Sequence, residues 1–525
     1  MKFIKSVIRH WSTICRAILS IFLAMATSYV FRNYFTVLLL AEKNFSGRNS
    51  LIKISLFSVY TIVLTVIYLF ALARVKSPLP FFKRFKEKTA PSQRLYRTLF
   101  ILVIGVVLIS FLNNVYSMIH LHNQTFESFK YFVYFSPVGV DFRNGIYQPP
   151  KTFLGAGEYY LAYPPFTNVF FTPLQLFNEN KAYIIIVFLL FFSNIVSLVL
   201  AGLMMKDLLL NRLGLGTSAT WLVSLVLVAA FCWFTLSGYP FIFSVERGNY
   251  DAIAILFAIA SIYLLLKKPE AIWGQVILLS IATHLKLYPA ALFIALFIFH
   301  RKKVILPAIV VNTLMLFSLG FKNGLKFFSL IIPYTQNPAL GTYNHSGYGY
   351  SQVLLNNFPN HILNIDLWRI GLTFTPILLW GVTCYLIVKH LKNGTRYGYL
   401  LMATIPLMCV VPTVSHDYKL VILSPVLLML FSLILFKITR QAKLADYLQL
   451  LILFGFMFLL GRSYEIFSPA FFLISNKYPV IIGLMLMALF NIVPLMKALQ
   501  QKDLPASLSI ESQEETEGLA LTAHS

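Results

Sequence analysis

Residues 244–303, SVERGNYDAIAILFAIASIYLLLKKPEAIWGQVILLSIATHLKLYPAALFIALFIFHRKK, decide the fold class. Three apolar runs, 251–266, 271–285 and 287–300, follow one another with short polar breaks between them. The runs are continuous rather than alternating. That argues against a barrel of strands and for helices, which satisfy their own backbone groups inside lipid. Two of the breaks are basic: Lys267 with Lys268, and Arg301 with Lys302 and Lys303. Lys286 and Pro289 interrupt the stretch between 271 and 300, which therefore reads as two helices or one broken helix.

The rest of the chain repeats the pattern. Of 525 residues, 58% are hydrophobic and 12% charged, against roughly 25% charged in a soluble domain. A helix crosses a bilayer with about 20 apolar residues. Candidate spans lie at 17–40, 51–73, 98–119, 182–205, 217–239, 251–266, 271–285, 287–300, 304–320, 369–390, 398–414, 419–436, 447–461 and 478–496. The expected fold is all-α: a polytopic integral membrane protein with about 12–14 transmembrane helices.

Charge sets the expected sidedness. The chain carries a net +24, from 43 Lys and Arg against 19 Asp and Glu. The loop 74–97, RVKSPLPFFKRFKEKTAPSQRLYR, alone holds eight of the basic residues. Basic loops mark the cytosolic side. Placing this loop and the N-terminus there makes the other short basic loops fall on the same side. The positive excess then reads as a topology signal and a contact with anionic membrane lipids, not as a nucleic-acid surface. The basic N-terminus and its apolar run read as an uncleaved first helix. Three regions follow: N-terminal helices with the basic loop over 1–97, a transmembrane catalytic region over 98–497, and a polar, disordered cytosolic tail over 498–525. Two long segments, 120–181 and 321–368, fall on the outer face, joined by short turns at 240–250, 415–419 and 462–477.

Several chemistries lack a motif. Cys15, Cys232, Cys384 and Cys409 form no CxxC or zinc spacing. No P-loop, GxGxxG, HExxH or GxSxG occurs, and no DxD that would pair two acids on a metal. No metal or cofactor is expected.

Ionisable groups at helix ends and in apolar runs are costly, and they mark function by default. Here they gather on the expected outer face. SPVGVDFRNGIYQPP carries Asp141 and Arg143, and YLAYPPF follows with Tyr163, Pro164 and Pro165. SVERGNYD supplies Glu246, Arg247, Asn249 and Asp251. ATHLKLYP supplies His284 and Lys286. YNHSGYGYSQ supplies Asn344, His345 and Ser346, and VSHDYK supplies His416, Asp417 and Lys419. Each has a plainer role open to it: Glu246 with Arg247 as a local ion pair, Asp251 as a helix cap, His416 as a bond to a helix end. Together, an acid, imidazoles and cations at a lipid–water boundary suit a lipid-phosphate leaving group. Cations neutralise the phosphate as its bond to carbon breaks, and a carboxylate takes a proton from the attacking hydroxyl.

The order DFRNGIY, GEYYLAYPPFTNVFFTPLQLF, ERGNYDAIAILFAIASIYLLLKKPEAIWGQVILLSIATHLKLYP, VSHDYKLVILSP resembles glycosyltransferase family 87 over about 135–435. The resemblance implies a GT-C fold. It also implies inverting transfer of a hexose, mannose first, from a polyprenyl-phosphate sugar to a lipid or glycan acceptor, without nucleotide or metal. It assigns Asp141 as general base and His416 to the acceptor or phosphate. Lys286 matches the lysine of the broken helix, and Arg247 and Asn249 match a turn that often reads GQxN in relatives. Lys419, Glu246 and Asp251 complete the candidate substrate-binding set. The expected location is a bacterial inner membrane with a periplasmic site, or the endoplasmic reticulum with a luminal one. An oligosaccharide polymerase or ligase, and a transporter or flippase of a lipid-linked or anionic substrate, are the alternatives.

Overall fold

A computed structural model describes residues 90–123, 140–142, 146–147, 163–213, 217–336, 344–358, 364–391, 396–440, 442–461 and 476–500. The expected spans at 17–40 and 51–73 lie outside them. Among the described residues every regular element is helical. The longer ones are α1 (Ala90–Asn123), α2 (Pro165–Phe171), α3 (Glu179–Leu208), α4 (Thr217–Ser237), α5 (Tyr239–Arg247), α6 (Asp251–Lys267), α7 (Ile272–Leu285), α8 (Phe293–His300), α9 (Ile305–Leu316), α10 (Phe321–Gln336), α11 (Gly347–Asn357), α12 (Ile365–His390), α13 (Arg396–Val410), α14 (Ser424–Arg440), α15 (Leu444–Gly461) and α16 (Tyr478–Gln500).

Six helical segments among the described residues are long and apolar enough to cross a membrane. A seventh candidate is Tyr288–Leu316 joined to Phe321–Ser329 through a 92° bend. The span Asp417–Arg440, which contains α14, is 94% buried inside the protein, against 22% for α12. A helix apolar on every side belongs in the middle of a bundle. α14 packs on α1, α3, α4, α13, α15 and α16. The exposed side of α12 (Leu367, Ile370, Phe374, Leu378) is the surface left to lipid.

The structure corrects two expectations. Residues 240–250, expected as a turn, are mostly α5. The two outer segments are not simple loops, since 165–171, 321–336 and 347–357 are helical. Asn344 is fully buried, and its side-chain amide donates to the Thr413 carbonyl at 2.7 Å. The broken helix is present. α7 ends at Leu285, Lys286 is extended at φ −145° and ψ 130°, and a 3-10 turn over Tyr288–Leu292 leads into α8.

Candidate active site

One end of the bundle gathers the candidate residues, and a single turn organises the first group. α5 closes with a left-handed glycine, Gly248 at φ +63°. The Gly248 N–H donates to the Val245 carbonyl and the Asn249 N–H to the Ser244 carbonyl, both at 2.9 Å. This is a Schellman closure. A Cβ at 248 would also stand 2.4 Å from Cβ of Phe142. Backbone conformation and close approach therefore both demand glycine.

The turn aims two side chains at Asp141, which lies in the short turn Val140–Phe142. Arg247 donates from Nε to Oδ2 at 2.9 Å and from Nη2 to Oδ1 at 2.6 Å. Asn249 donates from Nδ2 to Oδ2 at 2.8 Å. The Asn249 side-chain oxygen, Oδ1, accepts the Asp251 N–H at 3.0 Å, so one side-chain amide bridges the carboxylate and the start of α6. Burial pushes the Asp141 carboxyl up. The Arg247 charge and the hydrogen bonds from Arg247 and Asn249 outweigh that and hold it below the usual carboxylate range, with the Lys286 charge adding to them. Burial works against the Arg247 guanidinium too, and Asp141 overrides it and raises its affinity for the proton. Such forked, charge-assisted pairs are both strong and directional.

A second group sits beside this clamp. The ammonium of Lys286 is 3.4 Å from Oδ1 of Asp251 and lies over the rings of Tyr163 (4.6 Å) and Tyr250 (4.5 Å). The hydroxyl of Tyr288 donates to the same Asp251 oxygen at 2.9 Å, and Oδ2 of Asp251 has no hydrogen-bond partner among the described residues. Lys419, also buried, places its ammonium 4.3 Å above the Tyr288 ring, and Asp251 is the carboxylate whose charge reaches it. One aspartate thus faces two lysines. Aromatic faces stabilise such ammonium groups without neutralising them. The YPP segment builds the wall. Pro164 is extended, Pro165 opens α2, and the Thr167 hydroxyl donates to the His284 carbonyl at 2.7 Å, one of the carbonyls the end of α7 leaves open.

The third group is a knot. His345 and Asp417 are both fully buried, and Nε2 of His345 makes a very short contact with Oδ1 of Asp417. The Lys477 N–H donates to Nδ1 of His345 at 3.1 Å, which makes that nitrogen the acceptor and leaves Nε2 to carry the proton. The Ser415 N–H donates to the Asn344 side chain at 2.9 Å, and the Asn476 amide donates to the Asn344 carbonyl at 3.1 Å. These bonds tie the start of α11, the turn before α14 and the entry to α16 together.

His416 lies between the clamp and the knot. Its ring is 5.6 Å from that of Tyr418, which also lies tilted against Phe243 at 5.7 Å and receives Arg247 over its face at 5.3 Å. Burial pushes its imidazole down to about 4, and the nearby Arg247 charge adds to the shift. It is neutral at neutral pH.

Asp141, Arg247, Asn249, Asp251, Lys286, His416 and Lys419 therefore share one region. Arg247 pairs with Asp141, and the side chain of Glu246 lies outside the described ones, as do Arg143 and the acid-bearing stretch before Tyr163. Asp251 does not cap its own helix; it sits in the first turn of α6 and faces Tyr288 and Lys286. Sequence reading put the weight of the VSHDYK turn on His416. The buried partner in that turn is Asp417, and no local pattern ties it to His345, 72 residues away. Among the described residues no group of three or more His, Cys, Asp or Glu is placed to hold a metal ion.

The family model described as glycosyltransferase family 87 matches residues 160–413. Arg247, Asn249, Asp251 and Lys286 lie inside the match; Asp141, His416 and Lys419 lie outside it. No curated protein and no solved structure matches the chain.

Proposed function

Because residues 160–413 belong to glycosyltransferase family 87 and the chain is a membrane-embedded glycosyltransferase, we propose that the clustered end of the bundle is its catalytic site, with a polyprenyl-phosphate hexose as donor. The carrying observation is the adjacency of a clamped carboxylate, Asp141, to a cationic pocket in which Asp251 faces both Lys286 and Lys419. A surplus positive charge among aromatic rings at the lipid boundary suits an anionic headgroup on an apolar tail.

In this reading the phosphate of the donor settles on Lys286, Lys419 and Arg247. Arg247 then exchanges its hold on Asp141 for the phosphate oxygens. That loss of a positive partner raises the basicity of Asp141 when it is needed. The acceptor hydroxyl oxygen attacks the anomeric carbon, and its proton passes to Asp141. The carbon–oxygen bond to phosphate breaks with its electron pair, and polyprenyl phosphate leaves. One displacement inverts the anomeric centre. The cations stabilise charge as it develops on the leaving oxygen. His416, neutral, orients the acceptor by hydrogen bonding rather than by giving up a proton. Asn249 keeps Asp141 aligned while Arg247 is engaged elsewhere. Mannose is the donor to try first, a lipid or glycan hydroxyl the acceptor. The GT-C arrangement and an outward-facing site, periplasmic in a bacterium or luminal in the endoplasmic reticulum, belong to the same proposal.

The test is sugar transfer in proteoliposomes holding the full chain, labelled polyprenyl-phosphate mannose and a crude lipid extract, with glucose and galactose donors in parallel. The expected result is transfer by the wild type and release of polyprenyl phosphate. Transfer only from a diphosphate-linked glycan would replace the donor class with that of a polymerase or ligase. Movement of the labelled lipid across the bilayer without transfer would overturn the catalytic site.

A further inference from the structure

α10 departs from the bundle in a way the site does not use. α9 runs as a lipid-facing helix, with Ile305, Leu306, Ile309 and Leu314 exposed along it. The chain then bends by 92° into α10. The corner is built, not loose. Gly320 takes φ +91°, the rings of Phe317 and Phe321 stack at 4.9 Å, and Gly324 makes room for Phe317, whose ring atom would lie 2.3 Å from a Cβ there. α10 therefore lies across the direction of the spans at the end that carries the candidate site. It packs against α2, the helix that follows the YPP segment and holds the end of α7 through Thr167.

The sequence FKNGLKFFSLI (321–331) divides around this helix into three stripes. At 100° per residue, Asn323, Gly324, Phe327 and Ile331 fall on one side, and all four are buried or half-buried. Phe321, Leu325 and Phe328 fall on the next, and all three are large, apolar and exposed, at 67%, 50% and 48%. Lys322 and Ser329, both exposed, and Lys326, half-buried, form the third. A helix in water has no reason to keep an exposed apolar stripe separate from both its packed face and its basic face. A helix lying at a membrane surface has one, because it meets protein, acyl chains and headgroups on three different sides.

We infer that α10 is an interfacial helix lying in the plane of the membrane at the site-bearing end. Phe321, Leu325 and Phe328 enter the acyl-chain boundary, and Lys322 and Lys326 meet lipid phosphates. Through its packing on α2, this helix fixes the depth at which the Tyr163 wall meets the bilayer. The inference rests on the membrane fold and is independent of the identity of the sugar donor.

The test uses the full-length protein with its native cysteines replaced, reconstituted in vesicles of phosphatidylethanolamine and phosphatidylglycerol. Spin labels are placed one at a time through Phe321→Cys, Leu325→Cys, Phe328→Cys, Lys322→Cys, Lys326→Cys and Ser329→Cys. These sites are on the helix surface, and each variant is first checked for a single folded species on gel filtration. The ratio of oxygen to nickel-chelate accessibility is expected to be several-fold higher at 321, 325 and 328 than at 322, 326 and 329. Equal, water-like values at all six would overturn the membrane contact. Shielding of 321, 325 and 328 from both reagents would overturn it too, in favour of a protein covering that stripe. Lys322→Glu with Lys326→Glu, read through the label at 325, is expected to lower that ratio in phosphatidylglycerol vesicles and to leave it unchanged in phosphatidylcholine alone. No difference between the two lipids would overturn the phosphate contacts.

Discussion

Two carboxylates at the same end of this bundle are held in opposite ways. Asp141 is gripped by Arg247 and Asn249 at the edge of the site, where its partner guanidinium is a third exposed. Asp417 is sealed with His345 and neither has any exposed side chain. The first pair has room to trade partners, because a group that still sees solvent has somewhere to go. The second cannot, because separating it would leave a buried charge unpaired. The lesson is that buried polarity can serve two ends. A half-open clamp leaves its groups able to react, while a fully buried knot ties distant segments together. The opposite end of the bundle shows a third, ordinary pattern. Its ion pairs, Asp207 with Lys267 and Lys437 with Asp446, join neighbouring helices, and its surplus lysines and arginines are mostly exposed.

The sharpest way to break this contrast is to remove the acid at each site in turn. Asp141→Asn is expected to cut transfer by about 10²–10⁴, the range of a lost general base, while the protein still elutes and melts as a folded species. Unchanged transfer in proteoliposomes would move the base elsewhere. Asp417→Asn is expected to act on stability first, costing about 3–5 kcal/mol as one partner of a buried pair disappears. Thermal unfolding in detergent measures it, and activity per folded molecule should survive; a collapse of activity with an unchanged melt would put Asp417 in the clamp's class. Gly248→Ala comes next. The left-handed backbone costs about 1–2 kcal/mol for a residue with a Cβ, and the contact with Phe142 adds to it. Activity is expected to fall further than stability, because Arg247 and Asn249 lose their aim.

Two smaller effects refine the comparison through pH. Asn249→Asp removes a hydrogen bond that lowers the Asp141 carboxyl and adds a like charge. Both changes raise its pKa, so the acid limb of kcat/KM should move to higher pH; a limb that stays in place would take Asp141 out of the rate profile. His416, half-buried and held down at about 4, binds fewer protons folded than unfolded between that value and the ordinary histidine range near 6.5. Stability should therefore fall as pH drops through this window. His416→Gln should flatten the fall in melting temperature between pH 6.5 and 4, and an unaltered slope would assign it to another group.

Much of the helical frame was legible in the chain itself. The apolar runs after residue 98 each coincide with helical segments, and the Lys286–Pro289 interruption is a true break, because a proline and a charge in an apolar run leave the backbone few other choices. The amphipathic stretches 239–247, 321–336 and 347–357 were not legible as helices. They carry too few apolar residues to read as spans, and their polar residues look like loop composition until a packed face is available. The candidate site was half legible. Asp141, Arg247, Asn249 and Lys286 stand out as ionisable or polar groups beside apolar runs. Their pairing does not, since Asp141 and Arg247 are 106 residues apart.

The sequence by itself determined that this chain lives in a membrane, where its helices run and which residues are too costly to be idle. Those are consequences of local composition, and the bilayer reads composition directly. Only the tertiary structure decided which acid meets which cation, that His345 rather than His416 is the sealed histidine, and that α10 turns across the spans. Those choices follow from close approach at Gly248, Gly324 and the buried Asn344. Such approach depends on segments distant in the chain arriving together, and no local pattern encodes it.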